Sequence, residues 1–126
     1  MSKKILVIDD EELLTKTFTR LLEKNGYEVY TAKNGSDAKV LAEEEAFDLI
    51  ICDIRIPGKN GVEIIREIQP ALAEKDKNKI PVIFLTGFAD SKLEREAQAL
   101  DPIAYIFKPF DVGKLLEVIE STVGIS

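Results

Sequence analysis

Four short apolar runs in this sequence end on residues that can do chemistry. Asp9-Asp10 follows Ile5–Ile8, Asp53 follows Leu49–Cys52, Thr86-Gly87 follows Val82–Leu85, and Lys108-Pro109 follows Ile103–Phe107. Carboxylates brought to one place repel one another, so a cluster of them needs a cation or raised pKa values. A hard divalent ion is the natural neutraliser. Magnesium favours octahedral oxygen ligation and commonly takes one or two carboxylates, waters and a phosphate oxygen. With the ion's two positive charges and one from Lys108, the charge of Asp9, Asp10 and Asp53 is roughly offset, leaving a pocket able to accept a phosphoryl dianion. Phosphate chemistry follows more readily than redox chemistry.

Taken singly, each feature has an ordinary explanation. An acidic pair after a strand can open a helix, favoured by the helix dipole. Asp53 can be a turn residue ahead of Pro57-Gly58. Thr86-Gly87 alone is a generic loop, and Cys52 is a small buried hydrophobe rather than a reactive thiol. Only convergence of the carriers makes a site, so the elements that position them decide the matter.

Five apolar segments read as strands: Ile5–Ile8, Tyr27–Thr31, Leu49–Cys52, Val82–Leu85 and Ile103–Phe107. All except Tyr27–Thr31 are apolar throughout, as strands covered on both faces should be, whereas Tyr27–Thr31 alternates and suits a sheet edge. Helical spacing lies between them. Leu14, Phe18, Leu21 and Leu22 form one stripe, with Gly26 as its stop. Ser36 is expected to cap a second helix carrying Ala38, Leu41 and Ala42. Asn60 with Glu63, and Ser91 with Glu94, resemble capping boxes. Asp111 is expected to cap a last helix whose stripe is Val112, Leu115, Leu116, Ile119 and Val123. Pro70 is expected to break or kink the third helix, and the charges from Glu74 to Lys79 read as a solvated loop.

Strand–helix–strand connections join parallel strands by right-handed crossovers. The fold class is therefore α/β, a doubly wound five-stranded parallel sheet. In such sheets ligands bind beyond the carboxyl ends of the strands, where strand order reverses. In the flavodoxin-like order 2-1-3-4-5, strands one and three are neighbours there, which brings the three carboxylates to one rim with the lysine and the hydroxyl nearby.

The 126 residues suit a single domain spanning 1–126. Apolar residues at 45% and charged residues at 32% are ordinary for a globular chain. Seventeen basic against twenty-three acidic residues give a net charge of −6, which disfavours direct binding of nucleic acid. Histidine is absent, so no imidazole is available for zinc, for a catalytic triad or for carrying a phosphoryl group. The longest apolar run, Ile103–Phe107, is far short of the roughly 20 residues of a spanning helix, and the run after Lys3-Lys4 is too short for an export signal. Cys52, the single cysteine, cannot form an intrachain disulfide. The expected location is cytoplasmic, with no membrane contact.

At Val7-Ile8-Asp9-Asp10, Asp53-Ile54-Arg55-Ile56-Pro57-Gly58-Lys59-Asn60-Gly61, Phe84-Leu85-Thr86-Gly87 and Tyr105-Ile106-Phe107-Lys108-Pro109-Phe110, the chain resembles the receiver domain of two-component response regulators, from Lys4 to about Val123. The resemblance implies a phosphorylation-activated signalling switch on a five-stranded sheet with five helices. It implies that Asp53 is the phosphoacceptor. Asp9 and Asp10 would hold Mg2+, Asp10 directly and Asp9 partly through water, together with Asp53 and the backbone carbonyl of Arg55. Lys108 would pair with a phosphoryl oxygen, its bond to Pro109 would be cis, and the Thr86 hydroxyl would meet another oxygen. Tyr105 would then swing inward, remodelling the face of the fourth helix, fifth strand and fifth helix.

The donor so implied is a phosphohistidine on a sensor histidine kinase or a histidine phosphotransfer protein. The output is contact with a protein target the sequence does not name, by a monomer or a phosphorylation-dependent homodimer. The chain would be a stand-alone receiver or a piece of a longer regulator. It departs from the family at Ile56, where methionine is common, and at Leu100-Asp101-Pro102, where a small turn is usual. Arg55 and Phe88 occupy positions expected to affect the lifetime of the acyl phosphate. An aspartate-nucleophile phosphohydrolase is the rival enzyme, but it needs a second acid two residues after its nucleophile, where Arg55 stands. A nucleotide or flavin binder lacks its glycine-rich loop. A non-phosphorylated interaction module of the same fold would take no magnesium.

Overall fold

Side chains of a strand alternate between the two faces of its sheet, so a strand apolar at every position is expected to be covered on both sides. Three segments meet that demand in the computed structural model, which describes residues 2–75, 79–87 and 89–124. Strands β1 (Lys4–Ile8), β3 (Leu49–Asp53) and β4 (Val82–Thr86) form the sheet centre and are almost wholly buried. Strands β2 (Glu28–Ala32) and β5 (Ala104–Phe107) are its partly exposed edges; β5, apolar throughout and so expected to be covered on both faces, instead pairs on one side alone and leaves Phe107 exposed. Helices α1 (Glu12–Lys24), α2 (Gly35–Glu44), α3 (Gly61–Lys75), α4 (Ser91–Gln98) and α5 (Val112–Val123) alternate with the strands. All pairings are parallel, in the order β2-β1-β3-β4-β5. The expected doubly wound sheet is the observed one.

The alternation divides the core into two layers. Leu6, Ile8, Ile50, Cys52 and Phe84 face the side where Ile64, Ile65, Ile68 and Leu72 of α3 pack. Ile5, Val7, Leu49, Ile51, Ile83 and Leu85 face Phe18 and Leu22 of α1 and Leu115 and Ile119 of α5. Each such side chain contributes about 1.5–3 kcal/mol on full burial, which fixes strand register firmly: a slip of one residue would turn every apolar group to the opposite layer.

Side-chain caps fix the starts of four helices. Asn60 and Glu63 form the expected reciprocal box, with Glu63 N donating to Asn60 Oδ1 at 2.9 Å and Asn60 N to Glu63 Oε1 at 3.1 Å. Asp111 Oδ1 accepts from the amides of Gly113 and Lys114 as expected. Gly26, at φ 90°, follows the end of α1. Two caps differ from expectation. Asn34, not Ser36, caps α2, accepting from Asp37 N at 2.8 Å. Asp90, not Ser91, caps α4, accepting from Lys92 N and Leu93 N. In both cases the residue with extended backbone is the cap, and the serine already lies inside the helix.

Helix α3 also runs through Pro70 to Lys75, where a break or kink was expected. The backbone bond that proline removes falls on the carbonyl of Arg66, and both residues are exposed, so water can serve that carbonyl while Ile68 and Leu72 hold the buried side. The charges expected to form a featureless loop are partly engaged. Lys75 Nζ donates to the Glu43 carbonyl, and Lys79 Nζ donates to the Leu100 carbonyl at 2.7 Å. Residues 76–78 of that expected loop lie outside the described residues.

Candidate functional site

Register is what assembles the site. Ile8 pairs with Cys52, so the next residues, Asp9 and Asp53, leave adjacent strands side by side. Asp53 pairs with Leu85 and Thr86 with Phe107, which sets Thr86 and Lys108 one step further along the same rim. Four chemical residues from four strands thus emerge at the carboxyl edge. The Lys108 amide donates to the Thr86 carbonyl at 2.7 Å, and the Lys108–Pro109 bond is cis, as the resemblance implies.

Carboxylate oxygens of Asp9, Asp10 and Asp53 lie within 4.8 Å of one another. Asp9 and Asp53 are buried and Asp10 is exposed. Lys108 Nζ sits among them, 3.2 Å from Asp53 Oδ2 and 3.6 Å from Asp9 Oδ2. It also meets Glu11 Oε1 at 3.3 Å. Glu11 is a residue that sequence reasoning missed: in the run Asp9-Asp10-Glu11-Glu12 it looks like one more acid at a helix start. It precedes α1 without capping it by its side chain, and its amide donates to Asp9 Oδ1 at 2.9 Å.

Burial lifts the Asp9 carboxyl to about 6, with repulsion from Asp53 adding to it against the Glu11 amide and Lys108. Burial likewise raises Asp53, opposed by Lys108 and by the Arg55 amide. Lys108 is pulled down by burial, but Asp9 and Asp53 more than reverse this and leave it raised. The pocket is therefore short of positive charge. Asp9 Oδ2 is buried and makes no hydrogen bond, and the donor set is all hard oxygen. Both features fit a hard divalent cation.

The turn after Asp53 closes over it. The Arg55 amide donates to Asp53 Oδ1 at 3.2 Å, Arg55 bridges Asn60, and Gly61 N donates to the Ile54 carbonyl at 2.7 Å. Gly61 is required by this approach, since a Cβ there would lie 2.3 Å from the Asp53 carbonyl oxygen and 3.0 Å from Cys52 Sγ. Ile56 is buried and joins the α3-side core. Cys52 is fully buried, and burial with the nearby carboxylates raises its thiol well above the ordinary range, so it is inert as expected.

Thr86 is buried at the end of β4. The Tyr105 hydroxyl is buried too and makes no hydrogen bond of full geometry, and the Thr86 side chain is the hydroxyl acting on it. Burial chiefly raises that phenol, with Glu94 and Asp90 adding to the effect. Phe88, singled out in the sequence, lies outside the described residues.

Comparison with known proteins agrees with this geometry. The family model for the response regulator receiver domain matches residues 5–120. The polar-differentiation response regulator DivK of Brucella anthropi is 36% identical over 124 residues, covering 98% of this chain and 98% of that protein. Among solved structures, the chemotaxis protein CheY4 of Vibrio cholerae superposes with a TM-score of 0.84 at 27% identity, over 97% of this chain and 99% of that one. A response regulator from Burkholderia pseudomallei, solved with a phosphorylated aspartic acid, a calcium ion and citrate, gives a TM-score of 0.81 at 29% identity, over 97% of this chain and 69% of that one.

Proposed function

From the premise that the chain belongs to the response regulator receiver domain family, we propose that Asp53 accepts a phosphoryl group from a phosphohistidine and that the modified domain controls a protein partner. The observation that carries this reading is the buried Asp53 carboxylate held 3.2 Å from Lys108 Nζ inside the cluster it forms with Asp9 and Asp10. The phosphorylated aspartic acid and calcium ion of the Burkholderia pseudomallei relative support it.

The Arg55 amide holds Asp53 Oδ1 and Lys108 meets Oδ2, so the carboxylate is fixed in rotation before a donor arrives. Attack of its oxygen on phosphorus forms a P–O bond as the donor's P–N bond breaks, and the leaving imidazole nitrogen keeps the electron pair and takes a proton. Lys108 offsets charge on the transferring oxygens. Asp9, Asp10, Asp53 and the Arg55 carbonyl would hold Mg2+, which when bound supplies further positive charge beside those oxygens. Water attack on the acyl phosphate returns Asp53 to its free state. The domain thus promotes its own loading and unloading, and it is a switch rather than an enzyme with a separate substrate.

Thr86 is the transmitting residue in this reading. Its hydroxyl faces the Tyr105 phenol in the unmodified protein, and a phosphoryl oxygen at Asp53 gives it a charged acceptor instead, changing the face formed by α4, β5 and α5. Moving such an equilibrium from 1:99 to 99:1 takes about 5.5 kcal/mol, which a few bonds to charged groups of about 1.5–3 kcal/mol each can supply. The donor is a sensor histidine kinase or a histidine phosphotransfer protein, and the domain acts in the cytoplasm as a monomer or phosphorylation-dependent homodimer. Among the described residues no helix is long and apolar enough to cross a membrane.

The test is incubation with magnesium and a small phosphodonor, followed by intact mass and peptide mapping. The expected result is a gain of one phosphoryl group on Asp53 that is absent from Asp53→Asn and absent without the metal. Mapping to another residue refutes the assignment.

A further inference from the structure

Arg55 touches the phosphoacceptor and the start of α4 at once. Its backbone amide donates to Asp53 Oδ1 at 3.2 Å. Its guanidinium lies 3.9 Å from Asp90 Oδ2, with 53% of its side chain and 35% of that of Asp90 exposed. Asp90 holds the other side of this contact in place, because its Oδ1 accepts from the amides of Lys92 and Leu93, each at 3.1 Å. One carboxylate therefore uses one oxygen to cap the helix and presents the other to Arg55. Asp10 of the acidic cluster, Arg55 and Leu93 of α4 line the same open groove.

An ion pair of this length between partly exposed groups is weak. A phosphoryl group carries close to two negative charges and three strong acceptor oxygens, and a planar guanidinium matches such oxygens in bidentate fashion. Charge and geometry both favour the phosphoryl group over a single carboxylate oxygen at 3.9 Å.

We propose that Arg55 is a positioning residue that exchanges Asp90 for the phosphoryl group once Asp53 is modified, so that loading of the site removes an ion pair from the N-terminus of α4. The exchange presupposes Asp53 as the phosphoacceptor. Asp90 accordingly holds the guanidinium back in the unmodified protein, and removing its charge while keeping its cap favours the loaded state.

A double-mutant cycle tests this with beryllium fluoride as the phosphoryl mimic, titrated calorimetrically in excess Mg2+ against the wild type, Asp90→Asn, Arg55→Gln and the double variant. Asparagine keeps the oxygen that caps α4, and Asp90→Ser removes the same charge with another good cap if Asp90→Asn melts early. Asp90→Asn is expected to bind about two- to fivefold more tightly, and Arg55→Gln more weakly by a similar factor. In the Arg55→Gln background the gain from Asp90→Asn is expected to vanish, and Arg55→Lys, which keeps the charge, to restore part of it. A gain that persists undiminished without Arg55 marks plain repulsion by Asp90 and overturns the exchange, as does no gain at all. Failure of the wild type to bind overturns the phosphoacceptor reading itself, and with it this one.

Discussion

Asp9 carries an electrostatic cost that a single atom change should expose. Its carboxyl is lifted from 3.8 to about 6, chiefly by burial. A group raised in the folded state gives stability that is fully present below its unfolded pKa and is lost as pH rises through its folded pKa. At about 1.36 kcal/mol per pKa unit, the ionised side chain costs the metal-free protein about 3 kcal/mol at about pH 7, and about 1 kcal/mol at about pH 4.5. Asp9→Asn removes that titration and keeps an oxygen for the Glu11 amide. Without divalent ions the variant should therefore exceed the wild type in urea denaturation by about 1–3 kcal/mol at about pH 7, and the margin should shrink by about 2 kcal/mol at about pH 4.5. Magnesium at a hundredfold excess over its dissociation constant adds about 2.7 kcal/mol to whichever protein binds it, so it should close or reverse the gap. Equal stabilities at neutral pH without metal, or a margin that widens on acidification, would refute the reasoning.

Gly61→Ala places a methyl 2.3 Å from the Asp53 carbonyl oxygen. It should cost about 1–3 kcal/mol in thermal or urea unfolding and slow phosphorylation of Asp53 by shifting its backbone. Lys108→Gln leaves Asp9 and Asp53 without their ammonium, so phosphorylation followed by intact mass should slow about tenfold or more. In the same variant the Asp53 carboxyl should titrate higher by carbon-detected NMR, because the Lys108 charge opposes its rise. Cys52 should resist maleimide in the native protein and react in denaturant, given its burial and raised thiol pKa; rapid native labelling would contradict the packing of the β3 end.

The strand ends were legible because each chemical residue directly follows an apolar run, and parallel register then sets Asp9 beside Asp53 with no further information. What stayed hidden depends on backbone angles or on distant loops. Asn34 against Ser36, and Asp90 against Ser91, are choices between neighbouring good caps that only the local φ and ψ decide. Pro70 reads as a breaker because spacing does not reveal that its missing bond falls on the solvent side. Glu11 joins the Lys108 contact only because α1 begins one residue later. The buried Tyr105 hydroxyl and the Arg55–Asp90 pair are matters of rotamer, on which periodicity is silent.

The lysine of the pocket directly follows β5, well after all the acids it balances. Every acid of the cluster is therefore translated before its ammonium, and a chain cut ahead of Ala104 would carry all three carboxylates without Lys108 to offset them.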